Sequence, residues 1–490
     1  MSLKNWHLFI AIICLKCAFL PAQTSYQKIV NDFAKDSELK YASLSIALVD
    51  TKTGELLAQF DAQRSLSPAS NLKLLTTASA LAILSPDFQY KTELQYDGQI
   101  SKEGVLSGNL YLKGYGDPSL GSPELEQSVP FAEIMERFRM AAQQQGIRRV
   151  EGYVVGDGSV FETTGTIPSW QWEDMGNYYG AGAWGLNLHD NLYYLHFRQS
   201  SQLGDTPSID RLEPEVPGLE FYNELRSAAK GSGDNAYIFG SPYQFTNFIR
   251  GTIPVGDGLF TIKGAVPDPP LWVAQHLEHE FNTIGVQVQK GAISQFQLVQ
   301  TGMKIPQRHT IYTHYSPNLS AIVRRTNMES VNLYCEAMLK TIGWQKDTEG
   351  STQAGLEHQE KFWKEKGLSF DGCNLVDGSG LSEGDKVTSL FLARLLEKMT
   401  KQEAAVFQAF YASIPEAGRS GALKNRFKGT AAEGRLRAKS GTLENVRAFS
   451  GYIETKDGRL FAFSVIVNNY LISGGAMRQK LEELLVKWCQ

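Results

Sequence analysis

The chain has 490 residues, which at about 100–200 residues per domain gives room for two to four domains and a large buried core. Its composition, 42% hydrophobic and 20% charged, excludes a disordered chain, a collagen-like repeat and a disulfide-dense mini-protein. The net charge of −4 excludes a protein that wraps nucleic acid through a basic surface.

Residues 1–22 have the pattern of a secretory signal peptide. An apolar stretch, residues 8–20, follows a short polar segment, and cleavage is predicted after Ala22 or Gln23. The alternative is an uncleaved anchor, for which the stretch is short. The pattern predicts an exported protein of the periplasm or cell envelope with no transmembrane span. Two of the five cysteines lie in the signal, so too few remain for a disulfide framework.

The first elements predicted after the signal are a helix, a β-hairpin and a second helix. Apolar residues recur with helical spacing, and two β-rich stretches then flank a turn. Ser67 is the predicted N-cap of the second helix, and Pro68 is the residue at its first position. In chain order the predictions are a helix at 26–40, strands at 42–49 and 55–60, and a helix at 71–84.

The middle of the chain differs in pattern from both ends. Short alternating stretches broken by Gly, Asp and Pro predict a β-rich region, and helical periodicity returns after it. Two strands near the start and three near the end are enough for one antiparallel sheet with the terminal helices packed on it. The later predictions are helices at 319–343 and 389–400, strands at 435–440, 446–454 and 460–468, and a helix at 476–488.

These patterns predict an α/β protein with an antiparallel sheet flanked by helices. Its main domain is discontinuous, formed by residues 23–86 and 306–490. Residues 87–305 are the predicted insertion, a β-rich region of two nested subdomains. The arrangement brings sequence-distant motifs to one sheet.

Ser70 and Lys73 are the first candidates for chemistry. Serine is a weak nucleophile unless a neighbouring group takes its proton, and a desolvated lysine can act as that base. A spacing of three on a helix places both side chains on one face. Taken alone the pattern recurs by chance, and an ordinary helix start is the alternative.

Two further motifs lie near the C-terminus. Ser330 and Asn332 precede an apolar helix, where a helix cap is the alternative interpretation. Lys439, followed by residues 440–442 (Ser-Gly-Thr), ends a predicted strand, where a turn is the alternative. The order S-x-x-K, S-x-N and K-[ST]-G is the signature of penicillin-recognising serine enzymes. The combination therefore favours a catalytic interpretation of all three motifs.

The chain resembles the D-alanyl-D-alanine carboxypeptidase/endopeptidase family, the low-molecular-mass class C penicillin-binding proteins. The resemblance extends over nearly all of the chain after the signal, and the wide gap between Ser70 and Ser330 separates it from class A β-lactamases. It implies a serine DD-peptidase/β-lactamase-like fold with the nested β-rich insertion. The further motifs that carry it are the segments 68–73, 110–118, 168–174, 179–181 and 377–382.

The resemblance also implies residue roles. Ser70 is the expected acylated nucleophile and Lys73 its general base, and Ser330 relays a proton to the leaving group alongside Lys439. Asn332 holds the substrate amide. Ser440, Gly441 and Thr442 are expected to bind the substrate, the two hydroxyls at its terminal carboxylate, and the backbone N–H groups of Ser70 and Thr442 form the oxyanion hole.

The implied reaction is cleavage of D-Ala-D-Ala in peptidoglycan stem peptides, with covalent binding of β-lactam antibiotics and no metal or cofactor. Cross-link cleavage at the same site is also expected. Two departures from the family pattern stand out: Ser440 replaces the usual Thr, and Glu383 stands where diaminopimelate-binding members have Arg. The latter leaves the third stem residue open.

Asp157, in a Gly-Asp-Gly sequence, is predicted to face the substrate from the insertion, with an ordinary β-turn as the alternative. Two alternative functions stay open at this point, a β-lactamase and a non-catalytic cell-wall-binding protein. The oligomeric state and the balance between carboxypeptidase and endopeptidase activity are left open by the sequence.

Overall fold

The computed structural model of the protein describes residues 20–303 and 306–490, with side chains from residue 25 onward. The predicted signal segment lies outside the described residues except for its last three, which begin helix α1. The described residues form a mixed α/β structure, which confirms the predicted fold class. The α-helices are α1 Leu20–Ala34, α2 Lys73–Leu84, α3 Phe131–Gln144, α4 Trp172–Met175, α5 Pro269–Thr283, α6 Gln295–Gln300, α7 Leu319–Glu329, α8 Asn332–Asp347, α9 Thr352–Glu365, α10 Ser389–Met399, α11 Ala404–Ser413 and α12 Gly474–Trp488.

The strands number twenty-one in the described part of the chain. They are β1 Ser43–Asp50, β2 Leu56–Phe60, β3 Lys91–Tyr96, β4 Gln99–Ile100, β5 Val105–Ser107, β6 Leu110–Gly114, β7 Arg149–Val150, β8 Val154–Asp157, β9 Leu192–Arg198, β10 Ser208–Glu213, β11 Glu220–Asn223, β12 Arg226–Ala228, β13 Asn235–Phe239, β14 Thr246–Pro254, β15 Leu259–Ala265, β16 Gln287–Val288, β17 Ala292–Ser294, β18 His309–Tyr315, β19 Leu436–Leu443, β20 Val446–Glu454 and β21 Leu460–Asn468.

The two ends of the chain share one five-stranded sheet. Its strand order is β19-β20-β21-β1-β2, and every neighbouring pair is antiparallel. Strand β1 pairs along its whole length with β21, from Ser43 opposite Asn468 to Asp50 opposite Phe461. The predicted strands at 446–454 and 460–468 are confirmed, as is the hairpin of β1 and β2.

Both faces of this sheet are buried, because its strands alternate apolar side chains to either side. Phe463 and Val465 face the terminal helices α1 and α12, and they share one apolar core with Trp488 of α12. Ala462 and Ile466 face the helical layer that contains α2, α7, α8, α10 and α11. Each fully buried large apolar side chain contributes about 1.5–3 kcal/mol, so the two layers hold the sheet from both sides.

The helical layer differs from the prediction at residues 319–343, and α9 and α11, which follow that segment in the chain, are two helices for which there was no prediction. The periodic stretch at 319–343 forms two helices, α7 and α8, which are interrupted at Ser330 and Val331. Ser330 has a left-handed backbone with φ 61°, which ends α7 after its C-terminal turn. The interruption turns the chain and places the Ser330 side chain at the end of one helix and Asn332 at the start of the next.

The region between α2 and α7 contains strands β3–β18 in four separate sheets, which fits the predicted β-rich insertion. A mixed five-stranded sheet, β17-β8-β6-β3-β18, adjoins the catalytic half through β3 and β18. A large apolar core joins this sheet to helices α3 and α5. Strands β11, β12, β13 and β14, within residues 220–254, form a separate four-stranded sheet.

We propose the predicted domain division, with one change at its second boundary. Strands from both chain ends share a sheet, which supports a discontinuous domain. Strand β18, residues 309–315, lies after the predicted boundary at 305 but pairs with β3 of the insertion. The insertion therefore extends to residue 315 in the division that we propose.

Within the described ranges, none of the helices has the length and apolar character needed to cross a bilayer. The three cysteines of this part, Cys335, Cys373 and Cys489, are all unbonded thiols. The sheets and the helical layer are therefore held by packing and hydrogen bonds.

The nested arrangement predicts that a single cut in the insertion leaves the two fragments associated. A protease site introduced at the exposed residue Gly302, after helix α6, separates β1–β17 from β18–β21 in the chain. We expect the cut protein to elute as one particle in size-exclusion chromatography, because β1 stays paired with β21 and β3 with β18. Fragments that separate without denaturant contradict the proposed division.

Candidate active site

Ser70 lies in a tight turn that leads directly into helix α2. A 3-10 helix, Ala69–Leu72, precedes Lys73, and Pro68 is its N-cap residue. The predicted N-cap role of Ser67 is therefore wrong: no side chain caps this turn, and the buried Ser67 hydroxyl has no hydrogen-bond partner among the described residues. Ala69 has φ 46°, a conformation that is costly for a residue with a Cβ and that is typical of functional sites.

Lys73 is fully buried and donates three hydrogen bonds. Its Nζ lies 3.0 Å from Ser70 Oγ and 2.7 Å from the carbonyl oxygen of Ser379, and it also contacts Asn332 Oδ1. All three partners are neutral oxygen atoms. They come from three segments of the chain, the turn before α2, the first residue of α8 and a loop before α10.

The chemical nature of these partners fixes what the amine does in each protonation state. Asn332 Oδ1 and the Ser379 carbonyl only accept, whereas the Ser70 hydroxyl both donates and accepts. A neutral Lys73 has two N–H groups, which satisfy the two obligate acceptors, so its lone pair faces the hydroxyl of Ser70. This geometry suits transfer of the Ser70 proton to Lys73.

Asn332 is held at the first position of helix α8. Its Oδ1 accepts from Lys73, and its Nδ2 donates to the carbonyl oxygen of Tyr179 at 2.7 Å. The two contacts fix the orientation of the amide. Tyr179 belongs to the insertion, so a backbone group of that region touches the cluster.

Lys439 is the second fully buried lysine of the cluster. Its Nζ donates to Ser330 Oγ and to the carbonyl oxygen of Ser440, both at 2.9 Å. The left-handed backbone of Ser330 directs its hydroxyl to this strand. The structure thus brings together Ser70, Lys73, Ser330, Asn332 and Lys439.

Gly441 allows strand β19 to lie against the turn that carries Ser70. A Cβ at Gly441 would lie 2.5 Å from the carbonyl oxygen of Pro68 and 3.2 Å from the Cβ of Ala69. Such a distance to a backbone atom is not tolerated. Glycine at this position is therefore a steric requirement of the site.

Burial shifts the pKa of both lysines downward. Desolvation is the main cause at Lys73, whose pKa is lowered although nearby acidic groups oppose the shift. Desolvation also lowers the pKa of Lys439 well below its ordinary value, and the positive charge of Lys73 adds to this effect. Two such ammonium groups repel each other, so the neutral form of one is favoured.

The loop that supplies the Ser379 carbonyl is wound around the carboxylate of Asp377. The backbone N–H groups of Ser379 and Gly380 donate to one carboxylate oxygen, at 3.0 and 2.6 Å, and that of Ser382 donates to the other at 2.8 Å. The indole N–H of Trp170, from the insertion, donates to the same carboxylate oxygen as Ser382, also at 2.8 Å. Asp377 thereby fixes the direction of the carbonyl that binds Lys73.

A second buried acid holds the same loop from below. Glu336, one turn after Asn332 on α8, accepts from the backbone N–H of Gly378 through both oxygens, at 3.1 and 3.0 Å. Burial, with the charge of Asp377 as a further cause, raises the pKa of Glu336 to about 8. Burial likewise raises the pKa of Asp385 well above its ordinary value. These acids stabilise the loop rather than contacting Ser70.

The predicted substrate-binding residues lie in different surroundings. Ser440 is half-buried beside Lys439, and Thr442 is exposed, with its hydroxyl accepting from Arg447. Glu383, outside the loop, accepts from the Gln171 side chain at 3.0 Å. Across residues 20–303 and 306–490 no cluster of three or more His, Cys, Asp or Glu side chains is arranged to hold a metal ion.

Asp157 is not brought to the cluster. It ends strand β8 as a buried residue, and its carboxylate is paired with Arg308 and accepts from the backbone N–H of Ser159 at 2.9 Å. A role in facing the substrate stays a prediction, whereas these contacts favour a structural role. Buried ion pairs of this kind are broken only at a large cost.

Three partners of the cluster were missed from the sequence. The carbonyl groups of Ser379 and Tyr179 and the Trp170 indole all contribute contacts. Backbone carbonyls carry no residue-type signal. The motifs at 168–174, 179–181 and 377–382 marked the three segments without showing these contacts, and the positive φ of Gly380, 76°, is a backbone requirement that the glycine in the last motif satisfies.

Comparisons with known proteins show the family of the chain. Residues 26–490 match the D-Ala-D-Ala carboxypeptidase 3 (S13) family. The chain is 31% identical over 459 residues, 91% of this chain and 81% of the relative, to a D-alanyl-D-alanine carboxypeptidase of Actinomadura sp. (strain R39). It is 23% identical to D-alanyl-D-alanine carboxypeptidase DacB of Haemophilus influenzae, covering 85% of this chain and 83% of the relative.

Two solved structures share the fold. Penicillin binding protein 4 (dacB) of Haemophilus influenzae superposes with a TM-score of 0.79 at 20% identity, covering 93% of this chain and 97% of the other. The same protein complexed with a β-lactam gives a TM-score of 0.74 at 18% identity, with the same coverage. The two superpositions support the predicted DD-peptidase/β-lactamase-like fold.

The close approach at Gly441 predicts a specific effect of adding one methyl group. Gly441→Ala forces β19 away from the turn that carries Ser70, so we expect a loss of about 1–3 kcal/mol of unfolding free energy and slower reaction of Ser70 with a labelled β-lactam. Urea unfolding and the labelling rate measure the two effects.

Gly475→Ala is the matched control, because its Cβ would meet only the Ser473 hydroxyl, at 3.9 Å. We expect it to change the unfolding free energy by less than about 0.5 kcal/mol. Equal behaviour of the two variants contradicts the steric role of Gly441.

Proposed function

The chain belongs to the D-Ala-D-Ala carboxypeptidase 3 (S13) family and is a serine-type D-Ala-D-Ala carboxypeptidase, and we propose that its acyl-enzyme forms on Ser70. The observation that carries this assignment is the contact of Lys73 Nζ with Ser70 Oγ at 3.0 Å, with the other two Lys73 contacts made to acceptors. A nucleophile beside a buried amine of lowered pKa is the arrangement that acyl transfer requires.

In the proposed first step, Ser70 Oγ attacks the carbonyl carbon of the penultimate D-Ala. Its proton passes to neutral Lys73, and the new C–O bond leaves negative charge on the carbonyl oxygen. The backbone N–H groups of Ser70 and Thr442 are the proposed oxyanion hole. One such donor contributes about 2.7–4 kcal/mol to the transition state.

The second step releases D-alanine. The C–N bond breaks, and the leaving nitrogen takes a proton from Ser330 Oγ, which the 2.9 Å contact with Lys439 replenishes. Water then attacks the ester carbonyl, and its proton returns to Lys439 through Ser330 Oγ. The bond between the acyl carbon and Ser70 Oγ breaks, and Lys73 gives the proton that it took in the first step back to Ser70 Oγ. Two hydrogen-bonded pairs support these steps, Lys73 with Ser70 at 3.0 Å and Lys439 with Ser330 at 2.9 Å.

The terminal carboxylate of the substrate is the proposed partner of Lys439, Ser440 and Thr442. A carboxylate beside Lys439 raises the pKa of that lysine, because it offsets the desolvation of the ammonium group. The charged form then resides on Lys439, which favours the neutral form of Lys73. Substrate binding in this way prepares the base for its step.

The relatives named above are D-alanyl-D-alanine carboxypeptidases and a penicillin binding protein solved with a β-lactam, which supports the proposal of peptidoglycan stem peptides as the substrate and β-lactams as covalent inhibitors. Cross-link cleavage is a proposed second activity of the same site, since both reactions acylate Ser70. Such a substrate lies outside the cytoplasm. We therefore propose export to the periplasm or cell envelope through the predicted signal.

Replacement of the nucleophile predicts loss of both reactions. In Ser70→Ala we expect no covalent penicillin label and no release of D-alanine from a pentapeptide, because a covalent step has no substitute nucleophile. Mass spectrometry of the digested, labelled parent protein locates the acyl group. A label on a peptide that lacks Ser70 contradicts the assignment.

Ser67→Ala is the matched control, since its hydroxyl lies in the same segment without a hydrogen-bond partner among the described residues. It is expected to become labelled and to release D-alanine as the parent does.

The rate at which the parent protein loses its label distinguishes the carboxypeptidase from the alternative β-lactamase function. A label that turns over quickly favours a β-lactamase, and a persistent label supports the carboxypeptidase.

The lowered pKa of Lys73 predicts the pH dependence of acylation. The neutral amine is the base, so the acylation rate rises with pH and levels off once Lys73 has lost its proton, below the ordinary pKa of lysine. Stopped-flow acylation by a chromogenic β-lactam from about pH 6 to about pH 10 measures the inflection. In Lys73→Arg, whose side chain stays protonated, the rise is absent. A parent rate that does not change over this range contradicts the role of Lys73.

A further inference from the structure

One sheet of the insertion has an aromatic face toward solvent. Strands β11, β13 and β14 pair so that Tyr222 lies opposite Phe248, Phe239 opposite Phe248, and Tyr237 opposite Arg250. The alternate residues, such as Ile238 and Ile249, are fully buried on the other side. A solvent-facing side of a sheet is ordinarily polar, so this face departs from the usual alternation.

Trp172 of helix α4 completes the surface. Its ring meets Phe239 edge-on with centroids 5.1 Å apart and Phe248 at 6.5 Å, while the ring of Tyr222 stacks on Phe248 at 5.2 Å. Trp172, Tyr222 and Tyr237 are 45%, 60% and 44% exposed. We call these five side chains the aromatic face.

One chain segment links the aromatic face to the catalytic cluster. The segment that carries Trp172 also holds Trp170, which donates to Asp377, and Tyr179, whose carbonyl accepts from Asn332. Tyr237 lines a cavity of about 520 Å³ together with Tyr178 and Tyr179. The face and the groups that orient Lys73 are therefore attached to the same short stretch of the insertion.

The side chains of the aromatic face favour a saccharide over other ligands. The exposed large side chains of the face are Trp and Tyr, whose rings present a negative surface to the C–H groups of a pyranose. Arg250 lies over the rings of Phe239 and Phe248, 5.2 and 5.4 Å from their centroids, and is paired with Glu224 at 2.8 Å. Exposed Trp and Tyr rings for the sugar faces, with this ion pair beside them for the hydroxyls, suit a polysaccharide better than a bilayer or an aliphatic protein surface.

We propose that the aromatic face binds the glycan strand to which the stem peptide is attached. The inference rests on the proposed function, since that function supplies the covalent link between peptide and sugar. Stacking of pyranose rings on Trp172, Tyr222 and Tyr237 holds the polymer while its peptide enters the catalytic cluster. The enzyme then distinguishes stem peptides on a strand from free peptides.

The test uses the full chain with Ser70→Ala, so that binding is measured without turnover. The probe is a glycan oligosaccharide of peptidoglycan from which the stem peptides have been removed. Adding Tyr222→Ala and Tyr237→Ala is expected to weaken its binding about tenfold. Tyr41→Ala and Tyr315→Ala, which remove tyrosines that are 70% and 58% exposed on other elements, serve as the matched control and are expected to bind as the parent does.

A second measurement compares substrates with Ser70 intact. The ratio of kcat/KM for glycan-linked to free pentapeptide is expected to fall about tenfold in the variant with both Tyr222 and Tyr237 replaced. A parent that does not bind the oligosaccharide, or a variant that binds it equally well, overturns the proposal. Concentration-dependent dimers that the variant loses overturn it too, because a second copy then covers the face. If the protein binds the oligosaccharide but the form with Ser70 intact releases no D-alanine from either pentapeptide substrate, the proposed function is overturned instead.

Discussion

The burial of Lys73 is the constraint on which the rest of the catalytic structure depends. Removing an amine from water costs several kcal/mol unless its hydrogen bonds are replaced, and here three oxygen atoms replace them. Two of these partners, Asn332 and Ser379, lie 259 and 306 residues away in the chain. The fold is therefore required to bring a turn, a helix start and a loop to within one hydrogen bond of a single nitrogen. The strained backbone of Ala69 and of Ser330 is the cost of doing so.

The sequence was sufficient for the fold class, for most strands of the catalytic sheet and for the candidate residues that carry side-chain chemistry. Such residues occur in motifs whose order is informative. The sequence could not predict features that have no residue-type signal. One is the contact of Asn332 with the carbonyl of Tyr179. Another is the N-cap position, which Pro68 occupies instead of the predicted Ser67, because the backbone begins a 3-10 turn there. Asp157, predicted to face the substrate, is paired with Arg308, a partner so distant in the chain that no local pattern indicated it.

The insertion is part of the catalytic structure and not an appended module. Trp170 holds the Asp377 loop, and Tyr179 orients Asn332, so both contacts fix groups that touch Lys73. Beneath the loop, Glu336 and Asp385 are buried acids with raised pKa values. Hydrogen bonds from the loop backbone to Asp377, to Glu336 and to one oxygen of Asp385 fix the conformation of the loop, and such buried networks tolerate the loss of a member poorly. The two regions of the chain consequently constrain each other.

The position of strand β1 has a consequence for biosynthesis. Ser43 of β1 pairs with Asn468 of β21, so more than four hundred residues are synthesised after β1 before its partner strand β21 exists. Until then β1 exposes a long apolar edge, which is a template for wrong pairing. The β-rich region, whose strands are all translated before the C-terminal three, is complete while the first sheet is still unfinished. Because Lys439 lies on β19, the cluster around Ser70 is complete only after this C-terminal strand has joined the sheet.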